Sequence, residues 1–178
     1  MSTLPSDTVH IRRFDAPLGA EVLGLDLRDD ISPELFQRLE AEFHKCGVLV
    51  FRNQNKLGPE AHLSFSRRFG PLEIHVATHC LKPGYPEILL VSNIVDDTGR
   101  QIGLADAGQY WHSDLSYVAA PSRCSLLHAI EIPHGPDGAP LGQTHFASAA
   151  HAWETLPAET RALLDGRTAV HSYAERYQ

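Results

Sequence analysis

Cysteine is scarce in this 178-residue sequence. Cys46, Cys80 and Cys124 are three and far apart, which excludes a fully paired disulfide framework and lacks the close spacing of a structural zinc site. No run of eighteen apolar residues is present, so no membrane-spanning helix is expected. Met1 to Asp15 has none of the basic, apolar, small-residue order of a secretory signal, and a cytoplasmic location is expected. Positive charge is also in short supply. Fifteen Lys and Arg stand against 22 Asp and Glu for a net charge of −7, and the basic residues are scattered. Such a surface is not built to neutralise phosphates, so neither nucleic acid nor membrane is an expected partner. Internal repeats and low-complexity segments are absent as well.

With 43% hydrophobic and 21% charged residues, the composition is that of an ordinary globular protein. Its length suits a single domain over residues 1–178. Val9 to Leu27 alternates polar and apolar residues around Gly19 and Gly24, which predicts short strands joined by a turn. Ser32-Pro33 opens a helix, Ser as cap and Pro in the first turn; the stripe Leu35, Phe36, Leu39, Phe43 has helical spacing, and Gly47 stops it. Val48-Leu49-Val50-Phe51 reads as a strand buried on both faces. A second helix is expected from Pro59 to Phe69, closed by Gly70, and a strand over Glu87–Val91.

Asp96 to Gln109 reads as a loop leading into a strand that carries His112. Ser125–Ile132 predicts another strand, Pro133–Pro140 an exposed turn, Ser148–Leu156 and Pro157–Leu164 two short helices, and Thr168–His171 a further strand. The fold class is α+β, mainly β.

The chemistry gathers in Gln109-Tyr110-Trp111-His112-Ser113-Asp114-Leu115-Ser116-Tyr117. In an extended segment His112 and Asp114 emerge on one side and can both reach one ion, while Trp111 and Tyr117 fall on the other and pack. With 11 His and 11 Asp, chance supplies a His-x-Asp nearly once in a chain of this length, so context carries the argument. The competing reading is a His-Asp hydrogen bond in a core strand.

That context lies in five separated segments. They are Gly19-Ala20-Glu21-Val22-Leu23-Gly24-Leu25-Asp26-Leu27, Gly47-Val48-Leu49-Val50-Phe51-Arg52-Asn53-Gln54, Phe69-Gly70-Pro71-Leu72-Glu73-Ile74-His75, Trp111 to Tyr117, and Pro121-Ser122-Arg123-Cys124-Ser125-Leu126-Leu127. In order and spacing the chain resembles the Fe(II)/2-oxoglutarate-dependent dioxygenases similar to taurine dioxygenase and the phenoxyacetate dioxygenases. The resemblance implies a double-stranded β-helix, a jelly roll of antiparallel strands with flanking helices. It implies Fe(II) as metal and 2-oxoglutarate as co-substrate. By position, His112 and Asp114 match the metal-binding histidine and carboxylate, Thr144 a threonine that helps hold 2-oxoglutarate, and His75 a substrate-contacting histidine. Leu141-Gly142-Gln143 stands where the family usually has Gly-Gly-Asp, Thr78 replaces a substrate-contacting tyrosine, and Gly108 replaces an asparagine, so taurine itself is not the expected substrate.

The resemblance covers nearly all of this chain but only the first part of the family's length. The family's distal histidine and its 2-oxoglutarate-binding arginine have no counterpart, and Arg161, Arg167 and Arg176 are not assigned that role. The jelly roll is therefore expected to be incomplete at its C-terminal side. Two readings stay open: a dioxygenase hydroxylating a small, acidic organic substrate, with succinate and CO2 as co-products, or a non-catalytic remnant of the same fold with weak or no metal binding. A partial barrel exposes strand edges and apolar interior, so self-association into a homo-oligomer is expected. A zinc hydrolase using His112 and Asp114 would be a third class, but no His-Glu-x-x-His supports it.

Overall fold

The computed structural model describes residues 8–105 and 107–172. The chain divides into two compact units: residues up to Leu57 together with Ala129–Thr168, and Gly58–His128 together with residues from Ala169 onward.

The first unit is built on a β–α–β arrangement. Strand β1 (His10–Arg13) pairs antiparallel with β2 (Ala20–Leu23), and β2 pairs parallel with β3 (Leu49–Phe51), giving the sheet order β1-β2-β3. Helix α1 (Pro33–Cys46) makes the crossover. Its start is capped by Ser32, whose hydroxyl accepts from the Leu35 N–H at 3.2 Å, and its end by Gly47 at φ 71°, whose N–H donates to the Phe43 carbonyl at 2.7 Å. Leu35, Phe36 and Leu39 share the buried face of the helix, as their spacing requires. Together with Val9, Val22 and Ile31 they belong to the apolar core.

Glu21 is buried in this sheet between two arginines, Arg52 Nε at 2.9 Å and Arg12 Nη2 at 2.5 Å, the latter its direct cross-strand neighbour. First Arg52 and then Arg12 hold its carboxyl below the usual glutamate value. Strand β3 is an edge strand and only half-buried, which corrects the expectation of burial on both faces. Later in the same unit, helices α3 (Ala149–Thr155) and α4 (Ala158–Leu164) form the two predicted short helices, with Ser148 capping α3.

In the second unit, helix α2 (Pro59–Ser66) runs into a single 3-10 turn (Arg67–Phe69) closed at Gly70, close to the expected span. Strand β4 (Leu81–Lys82) pairs antiparallel with β5 (Tyr85–Leu89). Arg67 and Glu87 meet at 3.0 Å, and the Tyr85 hydroxyl donates to Glu60.

Beyond β5 the chain continues as a hairpin. Leu104 N–H donates to the Leu90 carbonyl (2.8 Å), Ile102 to Ile94 (3.2 Å) and Asp96 to Arg100 (2.8 Å). The expected loop from Asp96 to Gln109 is thus in its first part the return limb of a hairpin. Gly103 belongs there because a Cβ would lie 2.8 Å from the Leu90 carbonyl oxygen. The two strands expected over Ser125–Ile132 and Thr168–His171 do not form among the described residues; both stretches are irregular. Pro133–Pro140 is the expected exposed turn, closed by a His134–Pro140 bridge. No helix among the described residues is long and apolar enough to cross a membrane.

Candidate metal centre

The segment bearing His112 and Asp114 is not a strand. Residues 111–113 are irregular, Asp114 opens a turn, and Leu115 takes a left-handed φ of 51°, rare for a branched apolar residue. Strand alternation is therefore not what brings the two side chains together, and Trp111, 74% exposed, does not pack as a regular strand would have it. The convergence itself is present: His112 Nε2 lies 3.2 Å from Asp114 Oδ1.

The other ring nitrogen bears on this contact. His112 Nδ1 lies 2.7 Å from the Tyr110 carbonyl oxygen, which can only accept, so Nδ1 carries the proton. In the neutral ring, Nε2 then points a lone pair at a carboxylate oxygen. Two acceptors at that distance repel unless a cation stands between them: a proton on the imidazole, or a metal. Donors each about 2.1 Å from one ion and at right angles to each other would be about 3 Å apart, close to the spacing found. One imidazole and one carboxylate, with the imidazole's far N–H held by a carbonyl, is a donor set that suits Fe(II). Both side chains are about half exposed, so the face toward solvent is open to further ligands. Among the described residues, no group of three or more His, Cys, Asp or Glu gathers around an ion position. His171 Nδ1 is 3.0 Å from the Ser116 hydroxyl, in the same turn as Asp114.

One further side chain meets Asp114. The Ser125 hydroxyl donates to Asp114 Oδ2. Ser125 was legible only as part of the segment after Pro121; its contact spans eleven positions of chain, and no local pattern announces it. Gly108 stands beside the ring as well, a Cβ there meeting His112 Cε1 at 4.0 Å.

His75 lies in the second unit, half-buried, with its Nδ1 accepting from the Ala77 N–H at 3.0 Å just before the turn that Thr78 opens. Thr144 lies in the first unit, exposed and in irregular chain ahead of α3. Arg161 donates to the Glu154 carbonyl at 2.6 Å and covers the Trp153 ring, and Arg167 donates to the Leu163 carbonyl at 3.3 Å, so both serve helix ends. Arg176 and residues 1–7 lie outside the described residues.

Residues 10–178 match the family described as taurine catabolism dioxygenase TauD, TfdA family. Among curated relatives, pentalenolactone F synthase of Streptomyces avermitilis is 35% identical over 162 residues, 90% of this chain and 52% of its own. The alpha-ketoglutarate-dependent 2,4-dichlorophenoxyacetate dioxygenase of Cupriavidus pinatubonensis is 32% identical over 161 residues, 85% of this chain and 54% of its own. A solved taurine dioxygenase from Burkholderia xenovorans superposes with a TM-score of 0.62 at 22% identity, over 89% of this chain and 51% of that one.

The chain belongs to the TauD, TfdA family of dioxygenases. Members of the family use Fe(II) and 2-oxoglutarate, here called alpha-ketoglutarate in their names, and have the jelly-roll fold. The chain spans about half the length of the curated relatives it matches.

Proposed function

We propose that this chain carries the metal-binding pair of an Fe(II)- and 2-oxoglutarate-dependent dioxygenase that hydroxylates a small, acidic organic substrate. The observation that carries the reading is the 3.2 Å approach of His112 Nε2 to Asp114 Oδ1, with Nδ1 committed to the Tyr110 carbonyl. Bound Fe(II) would supply the oxidative chemistry, in which O2 and 2-oxoglutarate are converted to succinate and CO2 while one oxygen atom enters a substrate C–H bond. The residues of this chain position rather than react. His112 and Asp114 hold the ion, Thr144 donates a hydroxyl hydrogen bond to a 2-oxoglutarate carboxylate, and His75 contacts substrate. A single domain over residues 1–178, working in the cytoplasm, is the organisation we infer; a family match over residues 10–178, which includes residues of both units, supports the single domain.

A weak visible charge-transfer band is expected when Fe(II) and 2-oxoglutarate are added without oxygen, and succinate on admitting oxygen. His112→Ala and Asp114→Ala each abolish iron binding and leave the far-ultraviolet circular dichroism unchanged, since both side chains are half exposed. Iron retained by both variants removes the assignment.

A second reading is favoured by exposed apolar side chains of the second unit, among them Tyr110, Trp111, Val118 and Leu127. In this reading the chain is a non-catalytic remnant that self-associates through that surface. Sedimentation velocity separates the two: a concentration-dependent oligomer without a charge-transfer band favours the remnant, and a band from the monomer favours the enzyme.

A further inference from the structure

We propose that Ser125 is a positioning residue for the carboxylate ligand, fixing which oxygen of Asp114 faces the ion. This rests on the reading of His112 and Asp114 as metal ligands. The terminal torsion of an aspartate is broad and roughly two-fold, so the side chain alone sets no preference for the orientation in which Oδ1 meets His112 Nε2. At half exposure, water competes for both oxygens as well. The Ser125 hydroxyl, donating to Oδ2, removes that freedom and leaves Oδ1 turned to Nε2.

Ser125 can act this way because its own segment is held from both sides. Residues 122–128 alternate between half-buried and exposed, with Cys124, Leu126 and His128 on one face and Arg123, Ser125 and Leu127 on the other. The first face is anchored on α2, where the His128 ring meets that of His62 edge-on at 5.9 Å and the Leu126 backbone hydrogen-bonds the His62 side chain. On the other face Arg123 Nη1 donates to the Phe69 carbonyl at 3.2 Å. Asp114 is held at its own end by the left-handed Leu115 and by the His112 ring tied to Tyr110. The hydrogen bond joins two anchored backbones and fixes the carboxylate between them. Partners of this kind typically contribute 10- to 100-fold, as an order of magnitude, to metal affinity.

The test is a Mn(II) titration of the full chain, followed by the loss of the free-ion paramagnetic resonance signal, with the thermal midpoint of the metal-free protein as companion measurement. Ser125→Ala is expected to weaken Mn(II) binding by about 10- to 100-fold with an unchanged metal-free midpoint, and Ser125→Thr, which restores the hydroxyl, to recover most of the affinity. If Ser125→Ala binds as tightly as the parent while His112→Ala binds nothing, the positioning role is refuted and the metal pair stands. Equal weakening in the Ala and Thr variants with a lowered midpoint also refutes it, because packing and not the hydroxyl would then be responsible. If the parent itself leaves the free-ion signal untouched, the metal reading fails and takes the role of Ser125 with it.

Discussion

Leu39 and Leu127 stand in patterns that the sequence marks as equally core-forming, one in a helical stripe and one in an apolar run after a proline. Leu39 is 0% exposed, Leu127 68% and nearby Ile130 79%. The contrast extends beyond these residues: among the described residues, no residue after Gly103 is buried, while Val9 to Phe65 holds nearly all of the apolar core. Periodicity fixes which way a side chain points, but burial needs a surface opposite it. In the front sheet, β1 and β2 pair and α1 sets its apolar face into the core. The segment Ser125–Ile132 has the strand pattern without a ladder partner among the described residues, so its outward face remains open.

The widest separation between the two regions should come from truncating matched leucines. Leu39→Ala is expected to cost about 2–5 kcal/mol of unfolding free energy, the range for deleting a buried leucine, whereas Leu127→Ala should fall within about 0.5 kcal/mol. Denaturant titration of both variants measures it. A loss at Leu127 as large as that at Leu39 would break the comparison, because it would mean that something covers this face in solution.

Helix caps sharpen the contrast at smaller scale. Ser32 caps α1 and Ser148 caps α3 with the same chemistry, their hydroxyls accepting from the backbone N–H three residues on at 3.2 and 3.1 Å. Removing either cap costs its helix about 1 kcal/mol. Because α1 carries core residues and α3 has none buried, Ser32→Ala is expected to lower the global thermal midpoint. Ser148→Ala should only speed amide exchange within α3. A matching drop in the global midpoint for Ser148→Ala would show α3 to be part of the cooperative core.

This division also explains what could be read from residues alone. The front sheet, α1 with both caps, the turn at Pro133–Pro140 and the two late helices are local decisions made by spacing, proline, glycine and serine, and they were legible. The approach of His112 to Asp114 is legible from its context but its cause is not: irregular chain over residues 111–113 and the turn that Asp114 opens, not strand alternation, bring the two side chains together. Ser125 could not be assigned a role, because its partner is eleven residues away. The hairpin beyond β5 was hidden because its Asp- and Gly-rich tip resembles a loop and its limbs carry little alternation. The expected strands after Pro121 and at Thr168 depended on pairing, which no local pattern supplies.

An intermediate effect belongs to His62, which links α2 to the chain around Leu126. Burial first, and then the neighbouring His128 imidazole, lower its affinity for a proton below the ordinary histidine value of 6.5. The folded state thus binds fewer protons than the unfolded state in the window below 6.5, so stability rises with pH there and is lost as the solution is acidified. His62→Gln is expected to flatten the pH dependence of the denaturation midpoint between about pH 5 and 7. An unchanged slope in the variant would assign it to other groups.

The smallest effect is expected at the hairpin tip, where order is local and no core depends on it. Asp96 Oδ1 accepts from the Thr98 hydroxyl at 2.6 Å, the Thr98 N–H at 2.9 Å and the Arg100 N–H at 3.0 Å. The Thr98 hydroxyl is the largest influence, with the Arg100 N–H next, and together they bring the carboxyl down from 3.8 to about 2. Since the folded value is depressed, this contribution is fully present above 3.8 and disappears as pH falls through about 2. A carbon-detected titration of the Asp96 carboxyl should show a midpoint near 2 in the parent, moving toward 3.8 in Thr98→Ala, with the global thermal midpoint at neutral pH unmoved. A midpoint already at 3.8 in the parent would mean that the tip is not closed in solution. A fall in the global midpoint on Thr98→Ala would place this hairpin with Leu39 rather than with Leu127, and the line between the two regions would have to be redrawn.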